Sequence, residues 1–120
     1  MSDIQRSHIG KRLSQVASHQ GVLYLAGQVA GDITQDMAGQ TRQVLASVDA
    51  LLTEHGSGKE NILFCQIYLS DISQIAAMNE VWDAWVVPGH TPPRATVGAP
   101  LVSAEKLIEV VVTAARTNRD

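Results

Sequence analysis

The sequence has little of what marks secreted or membrane-spanning proteins. A single cysteine, Cys65, cannot form a disulfide within the chain, and residues 1–10 are polar, without the apolar h-region of a signal peptide. We therefore expect a cytoplasmic protein. No run of about 18 apolar residues is present, so we expect no transmembrane helix and no membrane partner.

Basic and aromatic residues are also scarce. Nine Lys and Arg are scattered against 12 Asp and Glu, and aromatic residues make up 4% of the chain. Because binding to nucleic-acid phosphates needs a positive surface, we do not expect a nucleic-acid partner. The histidines show no metal-ligand spacing and no cysteine cluster accompanies them, so no metal cofactor is expected. Those histidines are His8, His19, His55 and His90.

What is present is a globular composition. The chain has 120 residues, of which 45% are hydrophobic and 18% are charged. This size suits one domain with one core, and no repeat or linker divides the chain. We therefore assign residues 1–120 to a single domain.

Hydrophobic periodicity predicts an α+β fold in the order ββαβαββ. Gly21 is expected in a hairpin turn, and Gly27 inside a strand indicates a bulge or a close backbone approach. Two helices would cover one face of the sheet, so the other face needs a partner and an oligomer is expected. The predicted strands are Gln15–His19, Val22–Ala30, Asn61–Ser70, Arg94–Ala99 and Lys106–Ala114, and the helices are Gln35–His55 and Ile72–Val86.

Arg94 is the first candidate for chemistry. It begins a strand directly after Pro92 and Pro93, and along that strand it shares a face with Thr96 and Gly98. A guanidinium on a rigid element matches a carboxylate with two donors, so Arg94 is a candidate for binding a small acid. The alternative is a surface arginine or a salt bridge across the sheet.

Glu109 is the second candidate. It stands in an apolar strand, sharing a face with Val111 and Thr113, which suggests a role in proton transfer. The alternative is a carboxylate paired with a basic side chain. A hairpin centred on residues 101 and 102 would place Glu109 opposite Arg94, which we treat as a hypothesis.

Asn79 and Cys65 are predicted to face the interior. Asn79 falls in the helical stripe between Ile75 and Trp82, where a structural hydrogen bond to a loop is the simpler interpretation. Cys65 alternates with core residues of its strand, which favours an inert buried thiol over a nucleophile.

Several short motifs, taken together and in order, resemble the RidA family, also called YjgF-like or L-PSP proteins. The resemblance spans about residues 10–114 and implies a chorismate-mutase-like α+β fold. It also implies a homotrimer whose sheets face inward, with ligand clefts between subunits. The motifs are Ser14-Gln15, Ala26-Gly27-Gln28-Val29, Asn79, Pro93-Arg94-Ala95-Thr96-Val97 and Ile108-Glu109-Val110.

The resemblance implies hydrolysis of 2-imino acids and their enamine tautomers to 2-oxo acids and ammonia, without a cofactor. By family pattern, Arg94 binds the substrate carboxylate and Glu109 positions or activates water. Asn79 matches a recurrent family asparagine, and backbone groups near Thr96 would hold the imine nitrogen.

The sequence departs from the family pattern at three pocket positions. Leu13 stands where the family often has Tyr, Ala26 precedes Gly27 where many members have Ser, and Thr96 stands where Cys is common. These positions would shape the pocket, so the substrate is not predicted. Two alternatives stay open: a trimer that only binds a small carboxylate, and an RNA-acting or chaperone-like protein.

Overall fold

The computed structural model describes residues 3–117, which form two α-helices and seven strands. The helices are α1 (Met37–Glu54) and α2 (Ile75–Trp85). The strands are β1 (Gln5–Ile9), β2 (Ser14–His19), β3 (Val22–Leu25), β4 (Gln28–Val29), β5 (Ile62–Leu69), β6 (Arg94–Gly98) and β7 (Ile108–Ala115).

The strands form one mixed sheet in the order β1-β2-β3-β7-β5-β6, with β4 also pairing with β7. Only the β5–β6 pair is parallel among these described ladders, because α2 crosses over between them. Alternate residues of β5 and β7 pack with both helices in one core, so the helices cover a single face. The predicted α+β class with two helices on one face is confirmed.

Helix α1 forms where its sequence pattern predicts it. The Asp36 carboxylate accepts a hydrogen bond from the Gly39 N–H at 2.9 Å and caps the N-terminus. Gly56 has a positive φ of 77° and follows the C-cap residue, as predicted. The Ser57 N–H then bonds the Leu52 carbonyl at 2.8 Å, which satisfies one of the last free carbonyls of the helix.

Three strand predictions need correction. Strand β1 was not predicted, because its exposed polar residues lack the alternation that marks a half-buried strand. The predicted strand over residues 22–30 breaks in two at Ala26 and Gly27. Leu63 was expected to point into the core with Cys65, but it is 48% exposed, because the register shifts between Ile62 and Phe64.

The stripe of α2 also differs from its prediction. Ile72 lies in a short 3-10 turn before the helix and is 46% exposed. Met78 and Trp82 are the buried residues of α2, whereas Asn79 is half-buried. The apolar stripe is therefore rotated toward Met78, which the sequence prediction did not include.

The predicted hairpin of the last two strands is wrong. Strand β6 pairs with β5 in parallel, and β7 pairs with β5 on its other side. Arg94 is level with Cys65 and Glu109 is level with Tyr68, so the two site candidates are not cross-strand partners. A long connection from β6 to β7 passes over the end of β5, where the Ser70 N–H bonds the Leu107 carbonyl.

The sheet face without helices carries large apolar side chains. Phe64 and Tyr24 are both level with Thr113, and they are 41% and 50% exposed. Val97, level with Tyr68, is 44% exposed. We call this surface the open face; exposed apolar patches of this kind are typical of interaction surfaces.

Candidate functional site

Arg94 begins the edge strand β6, on the face that α2 covers. Its guanidinium carbon lies 5.0 Å from the ring centroid of Trp82, and Nη1 lies 4.0 Å from the sulfur of Met78. Neither contact neutralises the cation, although the aromatic face attracts it and fixes its direction. Within residues 3–117, Arg94 has no carboxylate partner, so the salt-bridge alternative is not observed.

Thr96 lies on the same face of β6 as Arg94, since side chains two residues apart in a strand point to one side. Its Oγ1 is buried and has no hydrogen-bond partner in the described chain. Asn79 Oδ1, on α2, is also buried without a partner there. The structural hydrogen bond that we favoured for Asn79 is therefore not found at this oxygen.

The contacts between α2 and β6 give the direction of the helix relative to the strand. Arg94 faces Met78 and Trp82 of α2, whereas Gly98 at the other end of β6 approaches Ile72, with 3.2 Å from an added Cβ to the Ile72 Cβ. Helix and strand thus run antiparallel, and Asn79, between Met78 and Trp82 in sequence, lies toward the Arg94 end of β6. We call Arg94, Thr96 and Asn79 the arginine group.

Glu109 lies near the middle of the sheet on the open face, where it is half-buried. Its carboxyl group rests against the backbone of Gly27. A Cβ added to Gly27 would meet the Glu109 Oε2 atom, and it would lie 2.8 Å from Cδ and 3.1 Å from Cγ. The predicted close approach at Gly27 is confirmed, and any side chain at this position would displace the carboxylate.

The two remaining candidates are Ala26, which precedes Gly27, and Leu13, which precedes β2. Ala26, next to Gly27, donates its N–H to the Gln15 carbonyl at 2.8 Å, which places the β3–β4 break beside β2. Leu13, two residues before Gln15, is 55% exposed at the start of β2. We call Glu109, Gly27, Ala26 and Leu13 the glutamate corner.

The structure thus divides the predicted site into two groups on opposite faces of the sheet. Arg94 is level with the buried Cys65, whereas Glu109 is level with Tyr68, whose neighbours Ile67 and Leu69 are buried. The Cα atoms of Arg94 and Glu109 lie two strand spacings apart across the sheet and three residues apart along the strands, a distance of about 14 Å. One chain does not bring the two side chains to one small ligand.

Sequence reasoning missed the residues that hold Arg94. Trp82 was assigned to the apolar stripe of α2, and Met78 was not assigned at all. The spacing of Asn79 and Trp82, three residues apart on one helix, was the available signal, because it places an amide and an aromatic ring on one face.

The buried Cys65 thiol is a poor nucleophile. Burial raises the pKa of the Cys65 thiol to about 12, although the Arg94 charge partly opposes this. The prediction of an inert buried thiol agrees with this. In the described part of the chain, no three metal-ligating side chains form a cluster, and neither helix is long and apolar enough to cross a bilayer.

Comparison with known proteins identifies the family. Residues 5–116 match the family model described as "Endoribonuclease L-PSP". A RutC family protein of Haemophilus ducreyi is 39% identical over 112 residues, covering 93% of this chain and 96% of the relative. The RutC family protein YoaB of Escherichia coli is 43% identical over 104 residues, covering 87% and 90%.

A solved structure shows the same fold. NMB1025 of Neisseria meningitidis, described as a member of the YjgF protein family, superposes with a TM-score of 0.94 at 39% identity, and 98% of each chain is covered. The ordered motifs, the mixed sheet with two helices and the matched length all agree. The chain belongs to the L-PSP family, which is also named after its YjgF and RutC members.

Proposed function

We propose that this chain hydrolyses reactive 2-imino acids, and their enamine tautomers, to 2-oxo acids and ammonia in clefts between the subunits of a homotrimer. The observation that carries the proposal is the arginine group. It combines a cation without a carboxylate partner and two buried oxygens without hydrogen-bond partners in the described chain.

The arginine group matches both polar ends of a 2-imino acid. The Arg94 guanidinium offers paired donors to the substrate carboxylate. A protonated imine carries two N–H donors, and Asn79 Oδ1 and Thr96 Oγ1 are acceptors that lack donors. A buried acceptor without a partner costs about 1–3 kcal/mol, so a ligand that supplies donors here recovers that free energy.

Glu109 would act on the water. Water attacks C2 of the iminium group, Glu109 accepts the proton, and a carbinolamine forms. The proton then passes to the nitrogen, the C–N bond breaks as Glu109 takes the proton of the carbinolamine hydroxyl, and this proton leaves with ammonia as ammonium, so that the 2-oxo acid remains. Orientation by Arg94 lowers the barrier, since a water held beside a fixed carbon reacts as if at a very high concentration.

The two groups can serve one ligand if they come from two chains. The arginine group lies at β6, an edge strand, and the glutamate corner belongs to the open face, which needs a cover. In the proposed trimer, the β6 edge of one subunit lies against the open face of the next. Each cleft then takes Arg94 from one subunit and Glu109 from its neighbour.

The first experiment measures 2-oxo acid and ammonia formation from imines that an amino-acid oxidase generates in situ. Wild type should accelerate their formation, and Arg94→Ala and Glu109→Gln should each abolish the acceleration. The matched controls are Arg42→Ala and Glu105→Gln, which change exposed residues of the same types elsewhere. Equal acceleration by Arg94→Ala and wild type would rule out the proposed site.

A subunit-mixing experiment tests the composite cleft. Equal amounts of Arg94→Ala and Glu109→Gln are unfolded together and refolded, so that the chains assemble at random. If each cleft takes its arginine and glutamate from different chains, about one cleft in four is intact, and about a quarter of the wild-type activity returns. No recovery in folded mixed trimers would place both residues in the same chain's cleft.

One observation favours a second function, a trimer that binds a small carboxylate without catalysis. The arginine group forms within one chain, without Glu109, and it alone offers partners to a carboxylate. Under this function, wild type would not accelerate imine hydrolysis. It would still bind a 2-oxo acid, and Arg94→Ala would abolish that binding while Glu109→Gln would not.

A further inference from the structure

The outer surface of the helix layer carries a cavity that neither group of the proposed site reaches. It has a volume of about 550 Å³ and lies between α1 and α2. We call it the helix groove. Ala46 of α1 and Ala84 of α2 both line it, and their small side chains leave the space between the two helices unfilled.

The two ends of the helix groove differ: one holds the Trp85–Asp49 pair, and the other, which we call the charged end, holds Arg42 and Glu80. Both helices run antiparallel to β5, so they are parallel to each other. At one end the Trp85 indole N–H donates to Asp49 Oδ2 at 2.9 Å, which sets residue 85 level with residue 49. Glu80 is then level with residue 44, within about 3 Å of Arg42 along the helix axes.

Arg42 and Glu80 therefore flank the charged end from opposite helices. Within the part of the chain that the structure describes, neither side chain makes a hydrogen bond or an ion pair. From this end to the Trp85–Asp49 pair, the groove runs about 8–10 Å. Leu45 and Val81 form its apolar floor over that length, and the Trp85 ring lines the far end.

We propose that the helix groove is a second binding site, which takes a zwitterionic α-amino acid with a large apolar side chain. The ligand carboxylate lies on Arg42 and its ammonium on Glu80, while the side chain extends along the floor toward Trp85. The proposal does not depend on the imine deaminase function.

Charge complementarity selects this ligand class over simpler ones. An apolar amine would satisfy Glu80 alone, and an apolar carboxylate would satisfy Arg42 alone. A zwitterion satisfies both charges with two charge-assisted hydrogen bonds, which are about twice as strong as neutral ones. Glycine would lack the apolar area that the floor and the Trp85 ring can bury.

Calorimetric titration with L-phenylalanine tests the proposal, with the full-length protein in wild-type and Arg94→Ala forms. Both forms should bind with the same affinity, because Arg94 lies on the other side of α2. Arg42→Gln and Glu80→Gln should each weaken binding by about tenfold, the effect of losing one charge-assisted contact. 3-Phenylpropionate, 2-phenylethylamine and glycine should each bind wild type at least about tenfold more weakly than L-phenylalanine does.

A variant whose side chain fills the helix groove provides a second, independent test. Ala84→Phe places a ring in the groove and should abolish binding. Ala76→Phe is the matched control, since Ala76 is an exposed alanine of α2 that does not line the groove. Failure of wild type to bind L-phenylalanine overturns the proposal. So does binding that Arg94→Ala abolishes and Arg42→Gln leaves unchanged, which would assign the ligand to the arginine group.

Discussion

Gly27→Ala should move the Glu109 carboxylate while changing the free energy of unfolding little, so it tests the role of the carboxylate separately from the stability of the fold. An alanine Cβ at this position would lie 2.8 Å from Glu109 Cδ, inside the ordinary contact distance. The carboxyl group must withdraw by about 1 Å to restore a contact near 3.5–4.0 Å. The three nearest contacts are all atoms of the Glu109 side chain, which is flexible and can move aside.

The free energy of unfolding should change little. Gly27 is exposed in the single chain, and its φ lies outside the positive range that disfavours alanine. A compatible Gly→Ala change restricts the unfolded chain and stabilises by about 0.4–1 kcal/mol. Rotation of the Glu109 side chain costs about as much, so the net change should stay within about 1 kcal/mol.

Catalysis should fall much further than stability. A misplacement of about 1 Å at a reacting group can cost about a hundredfold in rate. We therefore expect Gly27→Ala to lower kcat for imine hydrolysis by about a hundredfold, while KM changes little because Arg94 still binds the carboxylate.

The assay compares Gly27→Ala with Gly31→Ala in chemical denaturation and in imine hydrolysis. Gly31 is the matched control, because an added Cβ there meets no atom within 4 Å and its φ is also outside the positive range. A Gly27→Ala protein that folds normally and keeps kcat within a few-fold of wild type would refute a role for Glu109 at this place.

Three further predictions concern the scaffold. The Cys65 thiol, with its pKa raised by burial from 9.0 to about 12, should resist alkylation until the chain unfolds. Because the folded state disfavours its thiolate, the free energy of unfolding should fall as the pH rises from 9 toward 12, and a Cys65→Ala control should lose that part of the dependence. Asp36→Ala should lower the free energy of unfolding by about 1 kcal/mol through loss of the helix cap, and Asp36→Asn should restore most of it in the same denaturation assay. Gln40→Ala should lower the free energy of unfolding by about 2–4 kcal/mol, because it leaves the Leu107 N–H without its 2.9 Å partner and opens a buried space. The control Gln43→Ala should lower it by less than about 1 kcal/mol. Equal losses in the two variants would contradict this.

The parts of the fold that were predicted correctly depend on local patterns. Helix α1 has a long apolar stripe, and Gly56 provides the left-handed turn that ends it. The turn of the first predicted hairpin also depends on local residues, since Gln20 and Gly21 both have positive φ. In such segments the residues that fix the conformation are neighbours in sequence.

The parts that were predicted wrongly depend on contacts between distant residues. Strand β1 is held by its pairing with β2, and its own residues carry no alternating pattern. The position of β5 between β6 and β7 follows from the crossover through α2, which pairs residues far apart in the chain. The predicted hairpin paired residues symmetrically about residues 101 and 102, on the assumption that the last two strands are neighbours in the sheet. No local sequence feature contradicted that assumption.

The same distinction explains how much of the candidate site was predictable. Strand alternation correctly placed Arg94 and Thr96 on one face of β6, and the glycine rule correctly placed a close approach at Gly27. Alternation does not tell which face of the sheet a helix covers, so the sequence could not show that Arg94 and Glu109 point to opposite sides. Their opposite orientation follows only from the pairing order and register of β6, β5 and β7.

The opposite orientation of Arg94 and Glu109 also gives the proposed oligomer a chemical reason. An exposed apolar face explains why the chain needs a cover, yet any apolar partner could provide one. The proposed reaction needs the guanidinium and the carboxylate on one small ligand, so it would require a second copy of this chain, placed with its edge strand at the open face of the first. Stability and activity should therefore depend on protein concentration together, and dilution below the assembly midpoint should remove activity even where the single chain stays folded.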